Sequence, residues 1–161
     1  MKRWIFMAVL AFATTVSASA QEVFKEILRM SKEVANNKSK SLEIRKIATF
    51  KVDELNYMAQ KTMEMMPDSS VIVLDYQALA MKEFVDLFTS KLTKASKKRD
   101  RQRVLQLFKE ASINNPRFGD LDKDLVLSYY SNDNYLTQFS LDTDWEKALE
   151  YVRQQIRAGR L

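Results

Sequence analysis

The sequence predicts an all-α fold: a single domain of about five to six antiparallel helices organised around a long helical hairpin. Three observations carry this. The 161 residues include only two glycines and two prolines, too few breakers for a β-sandwich, which turns about every 8–12 residues. Apolar residues recur at gaps of three and four, the spacing that gathers them on one side of a helix. One such stripe is Ile44, Ile47, Ala48, Leu55, Met58, Ala59, Met63 and Met66, and a second is Leu74, Ala78, Met81, Val85, Phe88 and Leu92. Between them lies one turn, Met66-Pro67-Asp68-Ser69-Ser70, so the two arms can bury their stripes together.

The elements follow in order. Lys2 and Arg3, the apolar run Trp4 to Val16 and the small residues Ala18-Ser19-Ala20 form the three-part pattern of a secretory leader. Residues 1–20 are therefore expected to be removed before Gln21, leaving 21–161 as one helical domain, periplasmic or secreted, that spans no membrane. The leader has no cysteine for lipid attachment. Gln21 to Ala35 should be helical, with Phe24, Ile27, Leu28 and Val34 on one face. Ser41 caps the first hairpin arm, Pro67 ends it by lacking an amide donor, and Asp68, Ser69 or Ser70 caps the second. Residues 96–103 are all polar, and Val104, Leu107, Phe108 and Ala111 are out of phase with the stripe before them, so the helix should change around Ser96–Asp100. Asn114 to Asp120 reads as a loop, Leu121 to Tyr130 as a short helix carrying Leu125, Val126 and Tyr129, and Ser131 to Ser140 as irregular. Thr143-Asp144-Trp145-Glu146 has the form of a capping box opening a last helix. That helix should bury Trp145, Ala148, Leu149, Val152 and Ile156 and fray from Arg157 to Leu161.

Much chemistry is excluded by composition. With no histidine and no cysteine, Ser-His-Asp, Cys-His and His-ligated metal sites cannot be built. Glycines only at 119 and 159 leave no phosphate-cradling loop. A two-carboxylate hydrolase needs only Asp and Glu, and no pair of carboxylates stands out. Asp120-Leu121-Asp122-Lys123-Asp124 opens like a calcium loop but has Leu125 where glycine is required and Ser131 where Glu is required; acids at a helix start explain it. Met63-Glu64-Met65-Met66 could offer thioethers to a soft metal, yet core filling accounts for it better. The expectation is therefore no catalytic residue, no metal and no cofactor.

Two segments suggest contact surfaces. Lys91, Lys94, Lys97, Lys98, Arg99, Arg101 and Arg103 put seven positive charges in thirteen residues, opposed only by Asp100. Of 26 basic residues, two lie in the leader, so 24 face 21 acidic ones and the exported chain carries only +3. That excess is too small to imply nucleic acid, so Lys97, Lys98, Arg99 and Arg101 form a local patch suited to an anionic envelope component or an acidic protein face. A solvated corner between helices is the competing reading, although Arg99, Arg101 and Arg103 are unfavourable at a helix start. In the last third, Phe118, Tyr129, Tyr130, Tyr135, Phe139, Trp145 and Tyr151 interleave with Asn132, Asp133 and Asn134. Rings beside amides suit sugar or peptide recognition, with Tyr129, Tyr130, Tyr135 and Trp145 as binding candidates, and suit equally the anchoring of an irregular segment on a helical core.

Val104, Phe108, Ala111 and Pro116 resemble the second helix of a tetratricopeptide repeat in their spacing, and Asp144 to Tyr151 looks like the opening of such a helix. About a third of the chain takes part. The helix before Val104 lacks the repeat's aromatic and glycine pattern, and the two candidate helices are some forty residues apart instead of thirty-four. The whole chain also resembles the small exported helical proteins of unknown function of Bacteroidetes. The repeat resemblance implies a partner-binding scaffold. The leading expectation is thus an exported, non-catalytic helical protein engaging a protein or peptide. The alternative is an envelope carbohydrate or polymer binder, or a carboxylate-dependent hydrolase.

Overall fold

A computed structural model describes residues 22–68 and 71–161. Over these residues the protein is all-helical, six helices in one domain with no strand. Helix α1 covers residues 22–36. It is followed by α2 (Leu42–Met65), α3 (Val71–Lys94), α4 (Lys98–Ile113), the single turn α5 (Lys123–Val126) and α6 (Trp145–Arg157). The leader and the cap expected at Ser69 or Ser70 lie outside the described residues. No helix among those described is long and apolar enough to cross a membrane.

The hairpin of α2 and α3 is the frame. Ser41 Oγ accepts from the Ile44 amide at the start of α2, and the helix ends at Met65, two residues before Pro67. α3 runs to Lys94, where the polar stretch separates it from α4 as the phase change requires. α6 lies against both α3 and α4. Ala78, Met81, Phe84, Val85 and Phe88 from α3 meet Val104, Phe108 and Ala111 from α4 and Trp145, Ala148 and Val152 from α6 in one core. At its centre Phe84 and Phe88 meet Phe108 and Phe139 at 5.0–5.3 Å, and Phe84 also touches Trp145. Edge-to-face arrangement lets each ring's positive rim meet another's negative face.

Several expectations need correction. Met63 is 69% exposed, and Met65 and Met66 are also open, so the methionines at the hairpin end do not fill the core. The stripe holds only as far as α2 has something to lie on, and its buried set is Ala48, Phe50, Glu54, Leu55, Tyr57, Met58 and Thr62. Leu121 to Tyr130 is helical only over α5, and Leu125 is exposed. The cap of α6 is Asp144, whose side chain accepts from the Lys147 amide. Thr143 is withdrawn from capping because its hydroxyl donates to Ser140 O at 2.7 Å and bonds Ser112 Oγ at 2.7 Å. The end of α6 does not fray. Gly159 takes a left-handed φ of 73°, its amide donates to Ile156 O, and Arg160 N donates to Gln155 O. This is the paired closure by which a glycine just past a helix satisfies the last carbonyls.

Candidate functional site

The cationic corner forms where α3 gives way to α4. Lys91 and Lys94 stand in the last turn of α3, where positive charge favours the helix dipole. Lys97 is the cap residue of α4 and supplies no side-chain acceptor to its free amides. Arg101 is less free than its spacing suggests: its Nη1 donates to Leu92 O at 3.2 Å and closes the end of α3. That bond explains an arginine at an unfavourable helix start. Arg103 reaches Asp100 at only 3.8 Å. Lys97, Lys98 and Arg99 are exposed and make no ion pair among the described residues.

The glycine closure of α6 turns residues 159–161 back onto this corner. The result is a groove of about 340 Å³ with Lys94, Asp100, Arg103 and Arg160 around an apolar floor that includes Val104 and Leu161. Arg160 was missed in the sequence because a frayed terminus was expected there. The available signal was Gly159 itself, two residues beyond the last helical position.

The aromatic candidates divide. Trp145 is wholly buried and Tyr129 nearly so; Phe50 packs edge-on against Tyr129, Phe139 and Trp145. Tyr129 donates from its hydroxyl to Asp53 Oδ2 at 2.6 Å. Burial, followed by that carboxylate, pushes the phenol above its ordinary range. A ring without surface cannot meet a partner, so Tyr129 and Trp145 are corrected from contact residues to core. Tyr130 and Tyr135 are half-buried. Lys109 Nζ lies 4.2 Å from the centre of the Tyr130 ring, and Lys46 Nζ lies 5.4 Å from that of Tyr135 while donating to Asn134 O. These contacts clamp the irregular segment to α4 and α2. No hydrogen bond, ion pair or ring contact joins the tyrosines to the cationic corner among the described residues.

A polar layer that the sequence did not signal lies beneath the 114–144 segment. Asp142, 2% exposed, accepts from the amides of Arg117, Phe118 and Asp120 at 2.7–2.9 Å. Asp120 accepts from Tyr57 Oη and Lys61 Nζ, both at 3.0 Å. The Asp122 amide, outweighing partial burial, and then these two groups hold its carboxyl below the ordinary range. Asp122 caps α5. Two of the three carboxylates that imitate a calcium loop, Asp120 and Asp122, are thus engaged in local structure. Gln77, buried in α3, accepts from the Trp145 amide at 2.8 Å and donates to Asp144 and Glu146. Glu54 accepts from Trp145 Nε1 at 2.7 Å, and its Oε2 has no partner among the described residues.

Comparison of the chain with protein-family models, with curated proteins and with solved structures finds no match.

Proposed function

We propose that the chain is a non-catalytic binding protein, a helical scaffold whose cationic corner engages an acidic protein or peptide. One observation carries this: Lys94, Lys97, Lys98, Arg99 and Arg160 crowd one end of the molecule with no carboxylate partner among the described residues. Clustered cations without internal partners form a field that attracts an acidic surface and raises its rate of encounter. The apolar floor beside them gives a bound segment something to bury. The secretory leader supports a periplasmic or secreted location. The resemblance of Val104, Phe108, Ala111 and Pro116 and of Asp144 to Tyr151 to tetratricopeptide-type helices is consistent with a scaffold.

The other readings have less support. A carbohydrate binder would present open rings together; of the four ring candidates Tyr129 and Trp145 are packed inside, and the half-buried Tyr130 and Tyr135 each carry a lysine against the ring. A carboxylate hydrolase would need a proton-holding acid that can touch substrate, and the carboxyls that burial raises above their ordinary range, Glu54 and Asp75, are 1% and 6% exposed.

The test is a titration of fluorescently labelled polyglutamate peptide followed by anisotropy at low and moderate salt. The wild-type chain should bind, less tightly as salt rises. Lys98→Glu/Arg99→Glu/Arg160→Glu should weaken binding by at least about tenfold with unchanged helical circular dichroism. Equal affinity in the reversed variant would sink the reading. Binding to anionic vesicles in place of the peptide would move it to a lipid envelope component.

A further inference from the structure

The cationic corner leaves unexplained a second concavity, lined by residues of α1, α2 and α3. This cleft has a volume of about 200 Å³. Its apolar wall is built by Ile27, Met30 and Val34 of α1 and by Ile44, Ile47 and Ala48 of α2. Met30 and Ile44 remain 48% and 47% exposed, so apolar surface is left open there. Lys51 and Lys82 also line the cleft. Their ammonium groups converge on Asp86, 2.9 and 2.8 Å from its two oxygens, and Asp86 is not part of the lining. Two cations sharing one anion leave a positive charge uncompensated beside an apolar wall. The side chain of Lys51 is only 15% exposed, which weakens solvent screening of that charge.

We propose that this cleft binds a medium-chain fatty acid, its alkyl tail along the α1–α2 wall and its carboxylate at Lys51 and Lys82. A peptide of acidic residues alone would leave the wall unused, and a neutral alkyl compound would leave the charge unused. An amphiphile with one negative end uses both. At the ~30 Å³ that a water molecule occupies in the liquid, the space holds roughly seven such volumes, which suits a tail the length of octanoate.

The experiment is calorimetric titration of the full chain with sodium octanoate at constant ionic strength. Saturable binding is expected with a Kd below about 1 mM. Hexanoate should bind more than about tenfold more weakly, since each buried methylene contributes about fourfold. 1-Octanol should be about tenfold weaker than octanoate, for want of the charge. Val34→Phe should fill the cleft, and the half-exposed Lys82→Glu should repel the carboxylate without touching the core, so each is expected to lose at least about tenfold in affinity. Absence of saturable binding, equal affinity for 1-octanol, or unchanged binding in Lys82→Glu would each overturn the proposal. So would octanoate binding abolished by Lys98→Glu/Arg99→Glu/Arg160→Glu, which would assign the anion to the cationic corner. The proposal does not depend on the peptide reading, because that variant is expected to leave octanoate binding unchanged.

Discussion

In α2 a carboxyl group with almost no exposed surface faces the indole of Trp145. Burial drives Glu54 well above the ordinary carboxyl value of 4.5; the indole N–H draws it back, and the Asp142 carboxylate adds to the rise. Above pH 4.5 the unfolded chain releases a proton that the folded chain keeps, so this residue's contribution to stability falls as pH rises toward the folded-state value. Glu54→Gln keeps an acceptor for Trp145 Nε1 and has no proton to lose. The variant should therefore match the wild type near pH 4 and melt at a higher temperature near pH 8, by circular dichroism. A constant difference between the two across that range would mean that Glu54 is ionised when folded. Its place was legible: position 54 is one turn before Met58 and adjoins Leu55, on the stripe. Its burial was not, because residue type argued for solvent and the indole that satisfies it is 91 positions away.

At the scale of the helix, α4 begins badly. Lys97 offers no oxygen to the first amides, and the first turn is basic. Lys97→Asp would add both a cap and a favourable charge, and should raise stability to urea by about 1 kcal/mol. The same change should weaken polyglutamate binding measurably. Opposite signs in the two measurements are the outcome expected if the cost at this helix start is retained for binding. A stability gain without loss of affinity would make Lys97 a solvated corner residue. Most helices were readable because periodicity survives wherever a helix has a core to face. The breaks after Met65 and Lys94 followed from Pro67 and from the polar run before Val104. Ends were harder. Thr143 looked like the cap of α6, but Ser112 and Ser140, distant in sequence, occupy its hydroxyl. The methionines at the end of α2 kept the right spacing beyond the point where α3 or the loop could cover them.

Across the whole molecule, Phe139 joins the parts. Its ring touches Phe50, Phe84, Phe88 and Trp145, linking α2, α3 and α6 through a residue that belongs to no helix. Phe139→Ala should destabilise the protein by about 3–5 kcal/mol. Helix signal and Trp145 emission should still be lost at one common midpoint in urea, because a single core melts as a unit. Separate midpoints would show that the 114–144 segment opens independently. The aromatic segment could be read from sequence as rings near amides, with packing and recognition equally suited. What decides for packing is Asp142, which gathers three amides of a loop more than twenty residues earlier, a pairing no local pattern reveals.

Gln77 carries one more implication, and it concerns time. A side chain from the middle of α3 receives the first amide of α6 and holds the two acids that open that helix. The start of α6 is therefore completed by a residue from outside it, 68 positions earlier in the chain. A helix of thirteen residues is marginal in water by itself. We therefore expect α6 to complete its first turn only on docking against α3, after the hairpin has formed; amide protection appearing in α6 before α3 during refolding would overturn that order.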